Sequence, residues 1–244
     1  MTSVGTKSPG ILNYWRHFYA ARAAGVPMQP SDFAQHVGVT TVPTGLLVDI
    51  GTGSGRDAVW FAKSGMSVLA CDATPEAVDL VRQTALAHRL DQLDVRCVNI
   101  GNPDDLAGLS AAIGRWRVGQ SDSTAGPHGT VLPHGTVLFH GTAPVTLYAR
   151  FLLHAIPAEL EQALIEWART VLVGGERFLL EYRAAEMDAD DYVFGTHYRR
   201  PVDPEDVAQV ARAAGFRRVT SEVSRDFAVF GQERPLVARS TLEV

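Results

Sequence analysis

Three glycines at alternate positions, Gly51, Gly53 and Gly55, stand between an apolar pentapeptide, LLVDI, and a stretch with helical spacing. Asp72 follows about twenty positions later, at the end of the next apolar run. Without side chains, such a loop turns sharply and lets its backbone approach a ligand. A carboxylate placed after the second strand accepts hydrogen bonds from both ribose hydroxyls of a nucleoside. Each such charge-assisted bond is worth roughly 1.5–3 kcal/mol, so the first chemistry on offer is nucleoside recognition. Two further patches carry reactive groups: Tyr148, Arg150 and His154 in YARFLLHAI, and His197, Tyr198, Arg199 and Arg200 in HYRR. A guanidinium fork matches the oxygens of a carboxylate or phosphate. A histidine near neutral pH can move a proton.

The elements that must position these residues are legible from local pattern. LLVDI ends in the glycine cluster as a buried parallel strand does. RDAVWFAKSG has apolar residues at helical spacing and stops at Gly65. SVLACD is a second strand. Thr74 as N-cap and Pro75 at the first helical position open a helix, and VRCVNI is a third strand. Residues 108–142 read as a loop insertion: 108–126 is polar with glycines, and PHGTVL, PHGTVL and FHGTAP follow as an imperfect repeat. Its six-residue period and three copies are too little for a solenoid. Strands resume at VTLYA and ERFLLEYR, separated by a helix from about Pro157 to Val173. A polar loop over 183–203 leads to a helix capped by Asp203 and closed by Gly215, and FRRVTSEV and PLVARSTL end the chain as an antiparallel hairpin. Alternating strands and helices predict one α/β domain over 1–244, with a mostly parallel sheet and helices on both faces.

LLVDIGTGSGRDAVWFAKSGMSVLACD resembles motif I and the second-strand region of class I S-adenosylmethionine-dependent methyltransferases. The likeness runs on through IGNPDDL and VTLYARFLLHAIP, and implies a Rossmann-like seven-stranded sheet and S-adenosylmethionine as cofactor. On that resemblance Gly51, Gly53 and Gly55 line the methionine and ribose, and Asp49 fixes the loop and nears the amino group. Asp72 holds the ribose, Ala73 lies beside the adenine, Asn102 bonds it, and Arg56 pairs with the cofactor carboxylate while Asp57 caps its helix. The aromatic segment NYWRHFYAARAAG, within a helical lid over 1–45, supplies Tyr19 first and Trp15 second. RFLLHAI and HYRR further resemble a bacterial small-molecule subset. This places Tyr148, Arg150, Tyr198, Arg199 and Arg200 on the substrate side; an acceptor that needs a base has His154 or His197 as candidates, and arginines paired with acids instead would find them in Glu181 and Asp188 to Asp191.

Composition narrows the classes. Net charge is -5, with 46 % hydrophobic and 20 % charged residues, so no basic field calls for nucleic acid. No run approaches the roughly 20 apolar residues of a membrane span, and the first residues lack signal-peptide character. These point to a cytoplasmic protein without membrane or nucleic-acid partners. Cys71 and Cys97 form no CxxC pair and are expected as buried thiols in strands. His128, His134 and His140 recur every six residues, but the glycine after each breaks the strand that would put them on one face, so no metal is expected. The GxGxG spacing departs from the GxGxxG of nicotinamide enzymes. The expected reaction is O-methylation of a small anionic acceptor: a carboxylate, phosphate or phosphonate. The alternatives are base-assisted O- or N-methylation of a neutral natural product or sugar, and a non-catalytic S-adenosylmethionine-binding module. The sequence does not name the acceptor or the oligomeric state.

Overall fold

The computed structural model describes residues 8–21, 29–40, 45–121, 143–184, 198–229 and 233–244. Its helices are α1 (Ser8–Ala20), α2 (Asp32–Thr40), α3 (Arg56–Lys63), α4 (Pro75–His88), α5 (Pro103–Ser121), α6 (Ala158–Val171) and α7 (Pro204–Ala214). Its strands are β1 (Leu46–Ile50), β2 (Ser67–Asp72), β3 (Leu93–Cys97), β4 (Val145–Arg150), β5 (Arg177–Arg183), β6 (Arg218–Ser224) and β7 (Val237–Glu243). They form one sheet in the order β3-β2-β1-β4-β5-β7-β6. The first five strands are parallel, and β7 runs antiparallel to both β5 and β6. The closing hairpin is therefore threaded so that β7, not β6, joins the parallel strands.

Strand alternation divides the core into two layers. Val48, Leu147, Leu180 and Leu242 face α5, α6 and α7, while Leu47, Tyr148 and Leu179 face α2, α3 and α4. β1 and β4 are the neighbours at which the strand order reverses. Their carboxyl ends diverge into loops that leave opposite ways, which is where open α/β sheets bind ligands.

Two local readings are overturned. Residues 108–121, expected as loop, belong to α5. Leu109, Ala112 and Ile113 are buried in the core with Trp116 against it, so packing outweighs the helix cost of Gly108 and Gly114. Cys71 is buried, but Cys97 is exposed, because β3 is the sheet's edge strand. The HGT repeats, with His128, His134 and His140, lie outside the described residues.

Candidate active site

The loop after β1 is held by its neighbour strand. Gly51 N–H and Thr52 N–H both donate to the Cys71 carbonyl, at 2.8 and 2.9 Å. Gly51 and Gly53 have φ of 73° and 55°, the left-handed region that costs other residues about 1–2 kcal/mol. Gly53 N–H donates to Asp72 Oδ2 at 3.0 Å. Thr74 gives its N–H and its hydroxyl to Asp72 Oδ1, at 2.9 and 2.8 Å. Thr74 is at the N-cap position of α4, but its side chain serves Asp72 rather than the helix. Three donors thus fix a carboxylate that is 8 % exposed, and Oδ2 keeps a lone pair for a ligand hydroxyl. Burial pushes the Asp72 carboxyl up, opposed by the bonds from Thr74 and Gly53.

Asp49 lies beside it on β1, buried, and accepts from the Thr52 hydroxyl at 2.7 Å. Its pKa is raised to about 7, mainly by burial, with the Asp57 and Asp72 carboxylates adding to the effect. Asp57, expected as a helix cap, instead accepts Ser31 N–H and Ser31 Oγ–H, both at 2.7 Å, and the Tyr148 hydroxyl at 2.8 Å. It ties α2 and α3 to β4 beneath the loop.

Asp49, Asp57 and Asp72 line a cavity of about 590 Å³. Helix α1 contributes Ile11, Leu12, Trp15, Phe18 and Tyr19 to the lining. The Trp15 and Tyr19 rings stack at 6.0 Å, and Arg16 pairs with Glu76 of α4 at 3.0 Å, tethering the helix across the opening. Tyr19 packs so closely on Gly53 that a Cβ there would overlap its hydroxyl. Val98, Ile100 and Leu160 make an apolar wall, with Asn99 among them.

Arginines line the cavity as well. Arg150, at the end of β4, donates from Nε to Glu181 Oε1 at 2.8 Å, and Arg239 of β7 donates from Nε to Glu181 Oε2 at 2.8 Å. The Glu181 side chain has no exposure, and burial pushes its carboxyl up against the pull of both arginines. Phe151 turns the chain with φ of 56°, rare for a bulky residue. Its ring lies 4.3 Å from the Arg150 guanidinium carbon and meets the buried His154 edge-on at 5.4 Å. His154 Nδ1 accepts Arg183 N–H at 3.3 Å, so the neutral ring carries its proton on Nε2. Arg183, which pairs with Glu233, and Arg199 also belong to the lining.

Of the residues singled out from sequence, Tyr19, Asp49, Gly51, Arg56, Asp72, Ala73, Tyr148, Arg150, His154 and Arg199 line this one cavity. Gly53 and Gly55 shape the loop without lining it; a Cβ on Gly55 would strike Val81 of α4. Asn102 is exposed: it caps α5 by accepting Asp104 N–H at 3.0 Å, while Asn99 takes the place in the wall. Arg56 gives its guanidinium to the Gln29 and Pro30 carbonyls, at 3.1 and 2.9 Å, and so braces the entry to α2. Tyr148 is fully buried and spends its hydroxyl on Asp57. Tyr198 is exposed and outside the lining. Arg200 also turns away: it pairs with Glu161 and donates to the Ile156 carbonyl at 2.9 Å, while its N–H binds the His154 carbonyl at 3.0 Å. It bolts the substrate-side loop to the His154 turn. His197 and Asp188 to Asp191 lie outside the described residues. Sequence reading missed Arg183, Arg239 and Asn99. Asn-Pro-Asp-Asp at 102–105 is a helix-start signature that marks Asn102 as a cap.

The donor set suits a nucleoside that carries a cation: a buried acceptor for ribose hydroxyls, a second carboxylate beside it, an apolar wall, and aromatic faces on the lid. Among the described residues, no group of His, Cys, Asp and Glu is placed to hold a metal ion. No described helix is long and apolar enough to cross a membrane.

Residues 19–106 match the family model described as tellurite resistance protein TehB. None of the curated proteins matches the chain. Among solved structures, the S-adenosylmethionine-dependent methyltransferase SibL in its apo form is similar at TM-score 0.53 and 14 % identity. The match covers 87 % of this chain, which spans only 54 % of SibL. The [4+2]-cyclase SpnF is similar at TM-score 0.60 and 15 % identity over 96 % of this chain and 94 % of its own. The CcbJ methyltransferase from Streptomyces caelestis is similar at TM-score 0.57 and 15 % identity over 96 % of this chain and 98 % of its own. The chain has the Rossmann-like fold of S-adenosylmethionine-dependent methyltransferases.

Proposed function

We propose that this chain, which has the class I S-adenosylmethionine-dependent methyltransferase fold, binds S-adenosylmethionine and transfers its methyl group to a small acceptor carrying an anionic oxygen. The observation that carries the reading is one cavity lined both by the carboxylates Asp49 and Asp72 and by Arg150, which meets its own carboxylate partner through Nε alone. The cofactor, when bound, supplies a methyl group on a sulfonium that a nucleophile displaces in line.

Asp72 and the backbone it fixes hold the sugar hydroxyls, and Asp49 faces the positive charges of the methionine part. Arg150 receives the acceptor's anion and orients it. The helix α1 covers both ligands and excludes water, which strengthens each of these electrostatic interactions. An oxyanion is already deprotonated and needs no base. His154 fits that economy: with Nδ1 engaged by Arg183 N–H, its Nε2–H acts as a donor, not as a proton acceptor. The CcbJ methyltransferase likeness supports the fold as a frame for methyl transfer. The anionic acceptor rests on Arg150.

Calorimetry with S-adenosylmethionine and its demethylated form tests the cofactor, and Asp72→Ala should weaken both by roughly 100-fold. Incubation of the loaded protein with small carboxylates, phosphates, phosphonates and neutral phenols, followed by release of the demethylated cofactor, tests the acceptor. Transfer confined to anionic members is expected. Binding of neither cofactor form ends the proposal. Transfer only to phenols, abolished by His154→Gln, would replace the anionic acceptor with a base-assisted one.

A further inference from the structure

We infer that Arg239, which does not line the cavity, sets the affinity of Arg150 for the acceptor's anion through the Glu181 carboxylate that the two share. The inference rests on the anionic-acceptor reading and deepens it.

The register makes the arrangement. Arg150 pairs with Glu181 across β4 and β5, Glu181 with Arg239 across β5 and β7, and Arg239 with Glu222 across β7 and β6. Register partners project from the same face of a sheet, so the four form a row of alternating charge. At its cavity end, two guanidinium groups share one buried carboxylate, one oxygen each, at 2.8 Å. That trio carries one net positive charge. Arg239 is pinned elsewhere as well: it donates to the Phe227 carbonyl at 3.1 Å and lies over the Phe227 and Phe33 rings at 4.2 and 5.3 Å. Because Arg239 occupies Oε2, Arg150 is limited to its Nε bond. Its two terminal nitrogens make no hydrogen bond to protein among the described residues. They are the donors an acceptor oxygen would meet.

Removing the charge of Arg239 changes both features. Glu181 then has both oxygens available to Arg150 alone, and a two-bond guanidinium–carboxylate fork can close. One terminal nitrogen is withdrawn and the pair becomes neutral. Removing the charge of Glu181 acts in the opposite sense, because two cations then face the cavity with a neutral partner between them. Two strand spacings set the backbones of Arg239 and Arg150 roughly 10 Å apart, and an anion on the far side of the Arg150 guanidinium stands at a similar range from the Arg239 charge. One charge at that range in a partly buried setting shifts anion affinity roughly tenfold.

The test uses the full chain saturated with the demethylated cofactor, with inorganic phosphate and acetate as probes titrated at constant ionic strength and followed by Trp fluorescence. Arg239→Met keeps a stem between the Phe227 and Phe33 rings while removing the charge. It should bind both probes roughly tenfold more weakly, Arg239→Lys should recover most of that loss, and Glu181→Gln should bind them several-fold more tightly. A purely structural role for Arg239 would weaken Arg239→Met, Arg239→Lys and Glu181→Gln alike. Probe affinity in Arg239→Met equal to wild type, with Arg150→Gln strongly impaired, overturns this inference and leaves the anionic reading standing. Wild-type binding of neither probe, or Arg150→Gln binding as well as wild type, overturns both.

Discussion

Binding of the cationic cofactor should expel a proton from Asp49. In the free protein its carboxyl is raised to about 7, chiefly because burial disfavours the charge. The ammonium and sulfonium of S-adenosylmethionine favour the ionised form, so the complex holds fewer protons than the free protein. At pH 6, one unit below the free value, about nine in ten molecules carry the proton, and about 0.9 proton is released on binding. Affinity therefore falls about fiftyfold from pH 7 to pH 5, approaching tenfold per unit at the acid end, and levels off near pH 8. Calorimetry at pH 6 in two buffers of different ionisation enthalpy measures the proton count directly. Asp49→Asn should release none and lose the slope. Equal proton release from wild type and Asp49→Asn would refute the reasoning, as would flat affinity from pH 5 to 7. The same shift has a stability sign. Because the folded state binds the proton more tightly than the unfolded one, stability falls as pH rises from about 4 to about 7. A shift of about three units corresponds to about 4 kcal/mol, so Asp49→Asn should melt higher than wild type at pH 8 in the absence of ligand.

Other perturbations separate framework from site. Gly53→Ala places a Cβ on a left-handed residue against the Tyr19 hydroxyl. It should cost about 1–2 kcal/mol of stability and displace α1, read as a change in Trp fluorescence together with weaker cofactor binding. Unaltered fluorescence and affinity would show that the lid does not rest on the loop. Arg200→Gln leaves the buried Glu161 without its cation, for a loss of about 3 kcal/mol in denaturant unfolding. A variant as stable as wild type would return Arg200 to the list of substrate residues. Tyr148→Phe removes one of the donors to Asp57 and should destabilise by about 1–3 kcal/mol, measured the same way. No loss would mean that the hydroxyl is satisfied equally well without Asp57.

The cofactor end was readable because it is local: a strand, a loop and the next strand lie within Leu46 to Asp72, and periodicity and glycines place all of it. The acceptor end depends on residues far apart in sequence. Glu181 and Arg239 are 58 positions apart and meet only because β7, rather than β6, lies against β5. A prediction of a closing hairpin leaves that choice open, and with it the partner of Arg150. The extension of α5 was misread because Gly108 and Gly114 weigh on local propensity. Leu109, Ala112, Ile113 and Trp116 nevertheless keep helical spacing, a signal that was present. Asn99 and Asn102 differ by the proline that follows the second, and Arg200 differs from Arg199 by its contacts with Glu161, the Ile156 carbonyl and the His154 carbonyl, which no spacing reveals.

The polarity of the cavity follows from which sheet face its charged residues share. Asp49, Tyr148, Glu181 and Arg239 all project toward α2 and α3, where register runs Asp49 to Tyr148 across β1 and β4, and Arg150 to Glu181 to Arg239 across β4, β5 and β7. Asp49 and Asp72 stand on β1 and β2, while Arg150 ends β4 and shares the Glu181 carboxylate of β5 with Arg239 of β7. On the proposed reading, a positively charged cofactor would be drawn to Asp49 and Asp72 and a negatively charged acceptor to Arg150. Methyl transfer would remove the positive charge of the sulfonium and one negative charge of the acceptor, so each product would be held less strongly by these groups than its precursor.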